Sequence, residues 1–137
     1  MFRNPPADEI RQLLQATKTI AVVGFSNRPQ RPSHGVAYAM QQAGYRIVPV
    51  RPGITAGLGE RAYAHLADLP EVPDLVDVFR APQHVAGIVD ECIARGIKAV
   101  WLQEGVVDEE AAERARAAGI TVVMDRCLWK DYRALLG

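Results

Sequence analysis

The 137-residue chain reads as an α/β fold, a Rossmann-like three-layer domain built around a five-stranded parallel sheet. Two observations predict it. Five short runs rich in β-branched residues, TIAVVG (19–24), RIVPV (46–50), LVDVF (75–79), KAVWL (98–102) and TVVM (121–124), are apolar without period-two alternation. Such runs belong to strands buried on both faces. Amphipathic stretches at helical spacing lie between most of them, and this alternation implies right-handed crossovers with helices on both sides of a parallel sheet. The expected strand order is 3-2-1-4-5, with residues 1–137 as one domain and its core in 17–127.

Each helix has its own signals. Residues 7–17 place Ile10, Leu13 and Leu14 on one face. Residues 34–43 follow the first strand, with Ser33 as the predicted cap and Gly44 as the stop. Val85, Ile88, Val89 and Cys92 share a face of 83–95, which Gly96 ends. In 109–118, Asp108, Glu109 and Glu110 stand at the positive end of the helix dipole, Arg114 and Arg116 nearer its negative end, and Gly119 closes the turn. The link 52–74 is less regular, with a short helix expected around Tyr63–Ala67.

Sixteen basic and sixteen acidic residues leave no net charge, so nothing draws the whole molecule to nucleic acid or an anionic membrane. Any anion site must come from a local cluster of arginines. Cys92 and Cys127 are far apart and form no CxxC pair, against a disulfide framework or a zinc site. With no apolar stretch of membrane-spanning length and no long apolar leader, a cytoplasmic protein is expected.

In a parallel sheet of this kind ligands bind beyond the carboxyl ends of the strands. After the first strand come Gly24, Phe25, Ser26, Asn27, Arg28 and Arg31, then a helix start at Ser33 and His34. Glycine permits a tight turn, Ser26 and Asn27 offer donors, the arginines bring charge, and the helix N-terminus adds unpaired N–H groups. Together these suit a diphosphate; a capped loop with solvated arginines is the plainer alternative. The dinucleotide pattern G-x-G-x-x-G is absent, since Ser26 and Pro29 occupy the later glycine positions. The second strand ends in Val50-Arg51-Pro52, where an NAD-binding fold wants a carboxylate for the ribose. Arg51 disfavours NAD and suits a phosphorylated ribose, as in NADP or a 3′-phosphorylated adenosine. Phe79 and Arg80 end the third strand as candidates for a base and a phosphate, while Gln103 and Cys127 follow the fourth and fifth.

The segments TIAVVGFSNRPQRPSHGV, GYRIVPVRPG, LVDVFRAPQHV, KAVWLQEGV and GITVVMDRC, in order and at natural spacing, resemble the stand-alone CoA-binding domain proteins of bacteria. These in turn resemble the N-terminal domain of the succinyl-CoA synthetase α-subunit. The resemblance covers residues 17–127 and implies coenzyme A as the ligand, free or acylated. It implies that the loop matching Gly24, Ser26 and Arg31 holds the diphosphate. It further implies that Val50, Arg51 and Pro52 lie near the adenine and 3′-phosphoribose, and that Val78, Phe79 and Arg80 border the adenosine. Leu128-Trp129-Lys130 departs from the family pattern. The synthetase's second domain and its phosphorylated histidine have no counterpart here, so ligase activity does not carry over.

The residues alone favour a binding protein over an enzyme. His34, His65 and His84 stand in no motif with a nucleophile or metal ligand, although His34 begins the helix beside the phosphate loop. Glu104 and Asp125, at adjacent strand ends, read either as a carboxylate pair or as loop hydrogen-bonders. Cys127 at the mouth of the crevice is a candidate for a mixed disulfide with the pantetheine thiol, and a buried small hydrophobe is the alternative. An NADP-dependent reductase or a small acyl-CoA transferase is the rival reading. Trp129 and the C-terminal helix are the candidate surface for a homodimer.

Overall fold

A computed structural model describes all 137 residues. Helix α1 (Ala7–Ala16) leads into β1 (Thr19–Val23), α2 (Pro32–Gln42) and β2 (Arg46–Val50). The link that follows carries a small hairpin, β3 (Ala56–Gly57) with β4 (Glu60–Arg61), and a single 3₁₀ turn at Leu66–Asp68. Then come β5 (Leu75–Val78), α3 (Val85–Arg95), β6 (Ala99–Leu102), α4 (Glu109–Ala117), β7 (Thr121–Met124) and α5 (Leu128–Leu135).

The α/β reading holds: β2, β1, β5, β6 and β7 form one sheet in that order, with every neighbouring pair parallel. Counting only these five strands, the order is 2-1-3-4-5, which corrects the expected 3-2-1-4-5. The reason lies on the outer edge of β2. Pro49 has no N–H to give, and a proline inside a strand belongs to a sheet edge. That edge is closed by the chain's own link, the Tyr63 amide donating to the Pro49 carbonyl at 3.0 Å and the Arg51 amide to the Tyr63 carbonyl at 2.8 Å. The third long strand therefore pairs with β1 instead.

Two apolar layers cover the sheet. One gathers Ala21, Val76, Val100 and Val122 of the strands with Val85, Ile88, Val89, Ala111 and Ala115 of α3 and α4. The other joins Ile20, Val22, Trp101 and Val123 to Ile10, Leu14, Ala37, Met40 and Leu128 of α1, α2 and α5. Full burial of each large aliphatic chain is worth about 1.5–3 kcal/mol, so these two layers hold the strand ends in place. Cys92 belongs to the first layer, and burial pushes its thiol up to about 12. Trp129 is half-buried and stacked on Tyr132 with ring centroids 5.7 Å apart, so it packs against the second layer.

Helix α2 begins two residues earlier than predicted. Pro32 takes the first helical position, which its fixed φ favours, Arg31 is the cap residue, and no side chain caps the helix. Ser33 is thus inside the first turn and not the cap. Asp108 does cap α4, its Oδ1 accepting the Ala111 amide at 3.0 Å.

A cleft across the carboxyl edge of the sheet

Beyond the carboxyl ends of the strands lies a cleft of about 920 Å³. Gly24 follows β1, Arg51 and Pro52 follow β2, Phe79 and Arg80 follow β5, Gln103 and Glu104 follow β6, and Cys127 follows β7; all line the cleft. At ~4.8 Å per strand the five ends run over about 19 Å. The corrected strand order matters here, because it sets the end of β5 directly beside Gly24.

Gly24 has φ +87°, and a Cβ on it would stand 2.4 Å from the Phe79 carbonyl oxygen. Only glycine fits this crossing of two strand ends. The loop that follows is tied down locally. Ser26 Oγ accepts the Arg28 amide at 3.1 Å, and Asn27 donates to the Ala56 carbonyl at 2.9 Å, fastening the loop to β3. Gly57 of that strand packs against the Phe25 ring, where a Cβ would come within 2.4 Å of it.

Ser26, Arg28, Arg31, Pro32, Ser33 and Val36 complete the β1 side of the cleft. The Ser33 amide has no backbone acceptor, as the first turn of a helix requires. The molecule's salt bridges join Arg114 to Asp90, Arg116 to Glu113, Arg126 to Asp131 and Lys130 to Glu104. Arg28, Arg31, Arg51 and Arg80 have no carboxylate partner. Arg51 makes one long bond, its Nη1 donating to the Phe25 carbonyl at 3.4 Å.

The β6–β7 side is built differently. Trp101 Nε1 donates to the Arg126 carbonyl at 2.7 Å, and Arg126 holds Asp131 through two bonds of 2.6 and 2.8 Å. Asp125 adopts the left-handed region with φ +61°, a conformation Asp tolerates better than most residues, and its Oδ1 accepts the Gly105 amide at 2.8 Å. Glu104 faces Lys130 at 3.3 Å. Glu104 and Asp125 are thereby taken up separately, as loop hydrogen-bonders and not as a pair. Cys127 is half-buried at the N-terminus of α5, facing the cleft.

Of the sequence-predicted site residues, Gly24, Ser26, Arg28, Arg31, Ser33, Arg51, Pro52, Phe79, Arg80, Gln103 and Cys127 meet at the cleft. Phe25 and Val78 are fully buried in the apolar layers, and neither lines the cleft. Asn27 serves the loop. His34 stacks on Tyr38 and tilts against Phe25, outside the cleft lining. Val50 lines a smaller recess of about 120 Å³ that shares Gly24, Arg51, Pro52 and Arg80 with the main cleft and adds His65, Ile88 and Glu91.

Sequence reasoning missed Pro32, Val36 and Val106 in the wall, and it missed Asp77. Asp77 stands wholly buried in β5, accepting the Gln103 Nε2–H at 2.7 Å on Oδ1. Burial pushes its carboxyl up to about 7, with the Gln103 bond pulling the other way. The signal was present: an acidic residue inside an otherwise apolar central strand is expensive unless it has a purpose.

A family model described as the CoA binding domain matches residues 18–133, and the chain belongs to that family. It is 43% identical over 127 residues to "Uncharacterized protein YneT" of Bacillus subtilis, covering 93% of this chain and 94% of that one. It is 26% identical over 100 residues to "Acetate--CoA ligase [ADP-forming] II" of Archaeoglobus fulgidus, a match covering 72% of this chain and only 15% of the ligase. Among solved structures, cell-free ID.343 from Thermus thermophilus superposes with a TM-score of 0.92 at 39% identity, covering 96% of this chain and all of that one. No helix is long and apolar enough to cross a membrane.

Proposed function

We propose that the chain, as one unit over residues 1–137, binds coenzyme A or an acyl-CoA along this cleft and catalyses no reaction on it. The observation that carries the reading is the cluster of Arg28, Arg31, Arg51 and Arg80, which face the cleft with no carboxylate to neutralise them. Charge-assisted bonds from guanidinium to phosphate are the natural use of such a cluster. The diphosphate lies against the Gly24–Ser33 loop and the Ser33 amide, and the 3′-phosphate goes to Arg51. The adenosine lies by Arg51, Pro52 and Phe79. The pantetheine arm then runs past Gln103 to Cys127, in the direction of the β6 and β7 ends. Family membership supports the ligand class, and the cleft volume is within the range of about 300–1,000 Å³ common for small-molecule sites. The pairing of Glu104 with Lys130 and of Asp125 with the Gly105 amide supports a binding role over acid–base chemistry.

Calorimetric titration with CoA, dephospho-CoA and NADPH tests this. CoA is expected to bind, dephospho-CoA more weakly, and NADPH weakest. Equal affinities for CoA and dephospho-CoA would remove the 3′-phosphate role of Arg51. Preference for NADPH would support the reductase reading, and no binding of either CoA form would end the proposal.

A further inference from the structure

Asp77 occupies the middle of the central strand of the sheet, in register with Val22 of β1 and Trp101 of β6, and both of those belong to the layer under α1, α2 and α5. Its Oδ2 is buried without any hydrogen-bond partner, and no other buried side-chain oxygen or nitrogen in the molecule is left that way. Gln103 is 5% exposed and lines the cleft, with its Nε2 committed to Asp77 and its Oε1 making no bond inside the chain. A carboxyl placed there contributes less to packing than an apolar residue of the same size would. What it does is hold the nitrogen end of the Gln103 amide.

We propose that Asp77 and Gln103 together read the thiol end of the ligand: with Asp77 ionised, Gln103 presents its Oε1 acceptor to the cleft and favours the free thiol, and with Asp77 protonated the amide turns over and offers its Nε2–H to a thioester carbonyl. The inference rests on the coenzyme A reading above. The two states follow from hydrogen-bond inventory. An ionised carboxylate only accepts, so it must meet the amide nitrogen. A protonated carboxyl left facing that nitrogen would bury a donor with no acceptor. Turning the amide lets the carboxyl O–H donate to Oε1 and leaves only a carbonyl oxygen unsatisfied, a smaller penalty.

The position of Asp77 in its titration range makes both states accessible near neutrality, since burial raises its carboxyl to about 7. The strand segments Thr19–Val23 and Ala99–Leu102 that flank it contain no ionisable side chain. The covering helices carry Asp8, Glu9 and Arg11 on α1, His34 and Tyr38 on α2, and Lys130, Asp131, Tyr132 and Arg133 on α5, with Asp125, Arg126 and Cys127 in the turn before it. None of these contributes to the Asp77 shift, whose causes are burial and the Gln103 bond. Asp131, the buried one of this group, is bound by Arg126.

The test compares CoA with acetyl-CoA by calorimetry at pH 6 and pH 8, on the full chain and on Asp77→Asn and Gln103→Met. The two ligands share their phosphates, so phosphate titration cancels in the affinity ratio. In the wild type the preference for CoA over acetyl-CoA is expected to fall by about threefold or more on going from pH 8 to pH 6, the scale of one neutral hydrogen bond exchanged between ligands. Both variants should show a ratio independent of pH. Gln103→Met keeps the side-chain volume at the cleft surface and carries the comparison if Asp77→Asn fails to fold. A wild-type ratio that stays constant, or a shift that persists in the variants, would overturn the proposal while leaving CoA binding in place. Failure of both ligands to bind would instead remove the underlying reading.

Discussion

At the β2, β1 and β5 ends of the sheet, Arg28, Arg31, Arg51 and Arg80 reach the cleft without a carboxylate partner, whereas at the β6 and β7 ends the charges are already engaged: Arg126 with Asp131, Lys130 with Glu104 and Asp125 with the Gly105 amide. One half keeps its positive field for a ligand, and the other spends its hydrogen bonds on holding a turn still. A molecule that is anionic at one end and neutral at the other suits such an edge, and coenzyme A has that form. Under the proposed reading, orientation along the cleft follows from electrostatics, because a reversed ligand would place its phosphates beside Glu104 and leave the arginines unmatched.

The largest way to break the comparison is at Gly24, where the two strand ends of the cationic half cross. Gly24→Ala puts a Cβ 2.4 Å from the Phe79 carbonyl and forces a left-handed φ. It is expected to abolish measurable CoA binding and to cost about 1–3 kcal/mol in stability from backbone strain alone, read by calorimetry and denaturant unfolding. Arg31→Ala comes next and should weaken CoA by about 1.5–3 kcal/mol, the worth of a charge-assisted bond to phosphate. An unchanged affinity would make Arg31 a solvated loop charge. Lys130→Ala, in the paired half, removes an exposed ion pair and should change CoA affinity and stability by no more than about 1 kcal/mol. A loss there as large as that of Arg31→Ala would erase the distinction between the halves.

A stability measurement sharpens the role of Asp77. Its folded carboxyl titrates near 7, above the usual carboxylate range near 4, so the native state holds a proton that the unfolded chain has released between those values. This contribution is fully present below about pH 4, declines as pH rises, and is gone above about pH 7. Asp77→Asn lacks it. The stability of the wild type relative to Asp77→Asn should therefore fall steadily from pH 4.5 to 7 and then level off. A difference that is flat over that range would place the Asp77 carboxyl in the ordinary acid range.

Much of this was legible from the chain. The five apolar runs located the sheet strands, and the residues just past them, above all Gly24, Arg31 and Arg51, located the cleft, because strand ends in a parallel sheet are where ligands go. The strand order is harder to read, although Pro49 marks β2 as an edge; that cue is a single residue whose meaning depends on knowing which side of the strand lacks a neighbour. Composition marks Ser33 as a cap, but Pro32 beside it sets the helix start through its fixed φ. Asp77 reads as part of an apolar run, although its charge is the informative feature. The turn that carries Cys127 is not legible in the sequence, since the Arg126 carbonyl in it is held by Trp101, a partner that only the folded chain brings there.

The most direct measurement is the electron density of the protein crystallised with coenzyme A. The diphosphate is predicted to lie against the Gly24–Ser33 loop among Arg28, Arg31 and Arg80, with the 3′-phosphate at Arg51 and the thiol beside Gln103 and Cys127. Phosphates seated at the β6–β7 end, or a ligand bound away from the carboxyl edge of the sheet, would contradict it.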